Sequence, residues 1–429
     1  MNQQTFDQLQ ETIYQKTLDN GLEVVILPKQ EFNKTYATFT TKYGSIDNHF
    51  IPHGKKEPIR VPDGIAHFLE HKLFEKEHGD VFQDFSKQGA SANAFTSFTR
   101  TAYLFSTTQE VKKNLLTLID FVQAPYFTEK SVEKEKGIIG QEIQMYDDNP
   151  DWRAYFGVIE NMYHHHPVKI DIAGTIESIS KITKDLLYEC YETFYHPSNM
   201  LLFVVGPVNP DEILKLIEEN QNKKDYKAKP EIERFFEQEP KEVAEKKQVL
   251  PMAVQTPKCI IGFKEPSPTR QGEELLKHEL CVNLLLDIMF GQSSENYEVL
   301  YNEGLIDQSF FYDYTEEEGF GFSTIGSNSN KSDQLAEKVW SLIKAFKQGS
   351  LTQEAVESAQ KKKIGSFLRS LNSPEYIANQ YTRYRFNGMN LFDVVPTLEN
   401  ITVEDVVNVL NEHFTEEALT VYQVVPKTE

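Results

Sequence analysis

Only three cysteines, Cys190, Cys259 and Cys281, occur in 429 residues, an odd number with no paired spacing. That count does not suit a disulfide framework or a thiolate metal site, and a reducing compartment is the simplest reading. Long apolar runs are missing as well. No segment approaches the roughly 18 uninterrupted apolar residues that span a bilayer. The start, MNQQTFDQLQETIYQKTLDNG, has no basic stretch followed by an apolar core. These absences lead us to expect a soluble, cytoplasmic protein. Positive charge is also short, with 44 Lys+Arg against 65 Asp+Glu and a net charge of −21. An acidic surface repels phosphate backbones and anionic lipid, so neither nucleic acid nor a membrane is expected as a partner, while cationic or neutral ligands remain open.

What is present is enough apolar material for large cores, 39% hydrophobic and 12% aromatic, in a length that by itself suggests roughly three domains. Alternating strands are expected at Gly21-Leu22-Glu23-Val24-Val25-Ile26-Leu27 and at Tyr36-Ala37-Thr38-Phe39-Thr40-Thr41. A buried helix follows from Gly64 to Phe74, then two strands joined tightly around Ser97. Helical patterns run from Gln109 to Phe194 before Met200–Gly206 returns to strand. The stretch 218–249 is crowded with Lys, Glu, Asp and Gln, lacks apolar periodicity, carries Pro230 and Pro240, and reads as a linker.

An internal repeat reduces the domain count. Phe127-Thr128-Glu129-Lys130-Ser131-Val132 resembles Leu351-Thr352-Gln353-Glu354-Ala355-Val356 at an offset of 224, and Asn149-Pro150 matches Ser373-Pro374 at the same offset. The expected architecture is a tandem duplication of one α+β domain. Its boundaries are 1–217 and 250–429, with 218–249 between them.

The strongest local signal is His67-Phe68-Leu69-Glu70-His71. On a helix, two histidines four apart project from one face and can reach a single cation, with Glu70 on a neighbouring part of that face. Neutral imidazoles suit zinc, and a carboxylate beside the metal can take a proton from water; H-x-x-E-H is the inverted form of the zincin motif. Composition alone supplies only about 0.04 such motifs in a chain of this make-up, so chance is a weak explanation. A satisfied pair of buried histidines is the bland alternative. Seventy residues after His71 comes Glu142, and Glu135 lies seven positions before it, two helical turns away and on the same face.

With this downstream pair the chain resembles the pitrilysin and insulinase family of inverted-zincin peptidases, which includes the processing peptidases. The resemblance implies one zinc per chain, with His67, His71 and Glu142 as ligands, Glu70 as general base and Glu135 as a supporting carboxylate. It implies a substrate strand at Asn93, Ala94, Phe95 and Thr96, where an extended peptide adds to a sheet edge. It also implies mostly antiparallel sheets packed against helices, two domains forming half of a clamshell chamber that admits short or unfolded peptides. The run His164-His165-His166 sits before Pro167 in a segment like the family's His-Pro loop, and is expected to be loop rather than ligand.

The pattern breaks in the second domain. Glu135 and Glu142 map by the repeat to Ala359 and Ser366, and the helix around Leu280 to Asp287 has no H-x-x-E-H, so no zinc site is expected there. Family members that act alone or as homodimers present an Arg and a Tyr in R-x-x-x-G-L-x-Y, but the matching stretch here has Leu300 and Asp307. No arginine occurs between Arg270 and Arg369, although Tyr312 and Tyr314 are close by. The expectation is a zinc endopeptidase of a bacterial cytosol, paired with a related zinc-less subunit that supplies Arg and Tyr. The alternative is a non-catalytic scaffold subunit of the same fold. The acidic balance also suggests a bias toward cationic peptides.

Overall fold

The computed structural model describes residues 1–77 and 79–427, so the last two residues of the expected second domain lie outside it. Two sheets dominate. The larger, of seven strands, is ordered Asn2–Phe6, Glu11–Thr17, Glu23–Pro28, Met200–Gly206, Thr35–Thr41, Thr101–Thr107, Ala90–Thr96. Its centre is Met200–Gly206, MLLFVVG, buried at every position, the near-continuous apolar run of a strand covered on both faces. It lies parallel to Glu23–Pro28, while the other pairs are antiparallel.

The smaller sheet is ordered Lys247–Met252, Leu419–Pro426, Lys258–Lys264, Phe320–Asn328, Phe311–Glu317. Again only the first pair is parallel. This repeats the last five strands of the larger sheet in order and sense. The α+β duplication expected from the repeat is therefore visible as topology, with Lys247–Met252 beginning 224 positions after Glu23–Pro28.

By contacts the chain divides into two compact units, and these interleave instead of following the contiguous split at 217 and 250. The first comprises Met1–Ile143, Asp171–Phe236 and Ser370–Phe386; the second comprises Gln144–Ile170, Glu237–Arg369 and Asn387–Glu429. The physical reason is a pair of helices that pack on the other half's sheet. Pro150–Met162 lies on Lys258–Lys264 and Leu419–Pro426, close enough that a Cβ on Gly157 would stand 2.2 Å from the buried ring of Tyr422. Pro374–Phe386 lies on Met200–Gly206 and Thr35–Thr41, with Tyr381 against Phe203 at 4.9 Å between ring centroids and its hydroxyl 2.6 Å from Gln15 Nε2.

The charged stretch is irregular from 225 to 246 apart from a single bridge, Phe50 to Arg234. It is nevertheless tied down. Within the second unit Glu239 accepts from the backbone N–H groups of His164, His165 and His166 at 2.7, 2.9 and 2.9 Å, and from Lys264 Nζ at 2.7 Å. The three histidines are thus loop, as expected, and their main chain forms an anion nest. Burial by itself would raise the Glu239 pKa, but the Lys264 bond and the three N–H bonds reverse this and bring it to about 2. Because the folded pKa lies below the ordinary 4.5, the stabilisation is complete above about pH 4.5 and is lost as pH falls toward about 2. Glu239→Gln is therefore expected to lower the urea midpoint at pH 7, with the gap from wild type closing on acidification through that window. A gap independent of pH would show that the carboxylate charge is not responsible.

Candidate metal centre

The motif helix spans Ile65–Leu73 and starts abruptly at Gly64, whose φ of 86° and close approach to the Ala173 carbonyl leave no room for a side chain. Eight of its nine residues, all but His71, are buried, His67 and Glu70 among them, so the polar groups of the motif are carried inward by an apolar helix. The facing helix, Glu129–Asp147, buries Ser131, Val132, Glu135, Ile139 and Ile143, and the same stripe directs Glu135 and Glu142 at the histidines.

His67 and His71 have ring centroids 4.6 Å apart. Their Nε2 atoms lie 3.7 and 3.5 Å from the two oxygens of Glu142. One ligand atom from each of these residues falls within 4.8 Å of the others. Tetrahedral zinc with bonds of about 2.0–2.1 Å sets its ligand atoms about 3.4 Å apart, so the donor set and its spacing fit that ion. His71 Nδ1 is 3.1 Å from Glu135 Oε1. A proton on Nδ1 shared with Glu135 leaves the Nε2 lone pair facing Glu142, the supporting arrangement typical of a metal-binding imidazole.

Electrostatics separate the groups. Burial, reinforced by the neighbouring His71, lowers the His67 pKa to about 4, and its Nδ1 is buried without a hydrogen-bond partner. Burial also acts to lower that of His71, but the Glu135 bond and the nearby carboxylates of Glu70 and Glu142 outweigh it, and the net shift is upward. Glu70 is raised by burial, against the opposing hydrogen bond from Thr96 Oγ1 to its Oε2 at 2.6 Å.

Thr96 closes the strand Ala90–Thr96, which lies at the edge of the larger sheet and pairs with Thr101–Thr107. The strand carrying Asn93, Ala94, Phe95 and Thr96 thus ends at Glu70. Beside it lies a cleft of about 600 Å³ bordered by Glu70, His71, Phe74, Phe82, Asn93 and Ala94. Phe74 and Phe82 stack at 4.2 Å, with Phe82 39% exposed. Phe82 had no periodic or motif signal in the sequence; only folding brings it here.

A second cluster, also without a sequence signature, lies in the other unit. Glu265, His278 and Glu316 offer ligand atoms within 4.8 Å of one another. Here protein donors fill the space: Arg270 Nη1 is 3.0 Å from Glu265 and 3.3 Å from Glu316, His413 Nδ1 is 2.9 Å from Glu265, and the Tyr314 hydroxyl donates to Glu316 at 2.6 Å. The guanidinium occupies the cation's role, so this is a closed polar network rather than an open metal seat.

A duplicated α+β chain with an H-x-x-E-H helix opposed by a glutamate on a second helix defines a class, that of the inverted-zincin metallopeptidase scaffold. Residues 57–176 match the family model of insulinase (peptidase family M16), and residues 181–363 match that of the peptidase M16 inactive domain. The uncharacterized zinc protease YmfH of Bacillus subtilis is 65% identical over 99% of each chain. An M16-like peptidase from Alicyclobacillus acidocaldarius has a crystal structure that superposes with a TM-score of 0.94 at 42% identity, covering 97% of this chain and 99% of that one. Pitrilysin shares the fold at 16% identity and a TM-score of 0.76, with 99% of this chain matching 46% of pitrilysin. The chain belongs to the insulinase (M16) family of peptidases.

Zinc is the metal in the name of YmfH, and zinc affinity would measure the role expected of Glu135. Glu135→Ala should weaken zinc binding about 10–100-fold while leaving all three candidate ligands in place. Competition with a chromophoric chelator reads this directly, and unchanged affinity would show that Glu135 does not support metal binding through His71.

Proposed function

We propose that this chain is a zinc-dependent endopeptidase subunit acting on short or unfolded peptides, with His67, His71 and Glu142 holding one zinc ion. The observation that carries the proposal is the convergence of two imidazole Nε2 atoms on both oxygens of Glu142, with Glu70 buried alongside. When bound, zinc supplies Lewis acidity that polarises a carbonyl and brings the pKa of water toward about 7. Glu70 takes the proton from the water that attacks the scissile carbonyl and returns it to the departing amine. Burial, by raising its pKa, makes it better able to accept and hold that proton, and the Thr96 hydroxyl fixes the carboxylate's direction. The exposed edge of Ala90–Thr96 accepts the peptide as an added strand, so main-chain hydrogen bonds hold it with little demand on sequence.

The expected arginine and tyrosine find no substitute among the described residues of the matching stretch. Leu300 is fully buried, Tyr314 is enclosed by Glu265 and Glu316, and the Tyr312 hydroxyl is bonded to Asp287. These features support activity in a heterodimer with a related zinc-less subunit that provides the missing oxyanion donor. The three buried free cysteines accord with a bacterial cytoplasmic setting. The scaffold alternative draws on the inactive-domain match of residues 181–363, but the ligand set in the first half of the chain is complete.

Glu70→Gln should keep about one zinc per chain by elemental analysis yet lose roughly 10²–10⁴-fold in cleavage of a quenched fluorogenic peptide. His67→Ala should lose the zinc itself. Substantial cleavage by the Glu70 variant would remove it as the base. Native co-purification should recover a second subunit of the same fold; a homodimer with ordinary turnover and no such companion would refute the pairing.

A further inference from the structure

The second unit contains a cavity of about 540 Å³, in the size range of about 300–1,000 Å³ usual for small-ligand sites. Its walls are aromatic. Phe310 stands at its centre, with ring centroids 5.7 Å from Tyr297, 6.4 Å from Tyr312 and 6.5 Å from Phe290, all at steep interplanar angles of 59° to 64°. Tyr297, Phe310 and Tyr312 are only half-buried, so part of each ring meets the cavity.

Two charged side chains border it, and they differ in how far each is already compensated. Lys362 has its ammonium 3.4 Å from Asp287 Oδ1, which also accepts the Tyr312 hydroxyl. Asp307 has no cationic neighbour among its bonds. Its Oδ1 accepts from Ser309 N at 2.8 Å, Ser309 Oγ at 2.5 Å and Ser327 Oγ at 3.4 Å. These bonds, with one from Asn328, outweigh the effect of burial and keep its pKa below the usual value, so the carboxylate is ionised at neutral pH. An oriented carboxylate beside electron-rich ring faces is complementary to a cation with a flat or apolar stem. The chain's charge of −21 draws such ligands toward it.

We propose that this cavity binds the basic side chain of a peptide substrate, arginine in particular, with the guanidinium against the Phe310 ring and paired to Asp307. Taking a peptide as the source rests on the peptidase proposal above. At the very stretch where an arginine was expected, the chain thus offers an acceptor for one.

The test uses the full-length chain carrying Glu70→Gln, so that peptides bind without turnover. Two labelled pentapeptides, identical except for arginine or its uncharged isostere citrulline, are titrated by fluorescence anisotropy at low and high salt. The arginine peptide should bind at least tenfold more tightly at low salt, and the difference should shrink at high salt. Adding Asp307→Asn should bring the two peptides within about twofold of each other, and Phe310→Ala should weaken the arginine peptide selectively. Equal affinity for arginine and citrulline, or a preference that survives both substitutions, would overturn the proposal. Cleavage of the citrulline peptide by wild type together with its co-purified companion subunit is scored separately: its absence counts against the peptidase proposal and leaves the binding comparison intact.

Discussion

Everything at the centre of the first unit depends on one crowded contact, two imidazoles on a buried helix facing two carboxylates on another. His67, Glu70, Glu135 and the half-buried Glu142 are removed from water together. Groups of this kind are costly to bury unless paired. Part of the compensation is internal, through Glu135 on His71 and Thr96 on Glu70. The rest is complementary to a divalent cation, which two nitrogens and a carboxylate would share. An apolar helix that opens at Gly64 and a long helix with glutamates at a spacing of seven are the means by which the fold forces this contact.

Among the described residues, the two sheets show how a duplication can end in two different polar clusters. Both present the same five-strand order with a single parallel pair, and each ends in an edge strand, Ala90–Thr96 in one and Phe311–Glu317 in the other. In the first, that strand ends at Glu70. In the second, its end carries Glu316 into a network with Arg270, Glu265, His278 and His413. The polarity is retained while the cation is a side chain of the protein itself. Such a network is satisfied by the protein's own side chains, whereas in the first His67, His71 and Glu142 converge with no cationic side chain among them.

Much of this was legible beforehand, for particular reasons. The strands around Val24, Phe39 and Val204 carry apolar runs dense enough to be recognised, and the histidines four apart on an apolar helix determine their own mutual geometry. The glutamates seven apart do the same on their helix. The exchange of Pro150–Met162 and Pro374–Phe386 between sheets was not legible, because an amphipathic helix records that it has a buried face without recording which sheet receives it. The anchoring of Glu239 was hidden in the same way: a nest of main-chain N–H groups has no side-chain signature.

Local sequence therefore determined the elements of the scaffold and the residues on each candidate face, since helical and strand periods act over a few residues. The tertiary structure alone decided which faces meet. It set Glu135 on His71, Thr96 on Glu70 and Phe82 beside Phe74, and it gathered Glu265, His278, Glu316 and His413 from four separate parts of the chain. Such contacts follow from the packing of whole sheets and helices, in which the burial of apolar surface chooses the arrangement and the polar groups must find partners within it.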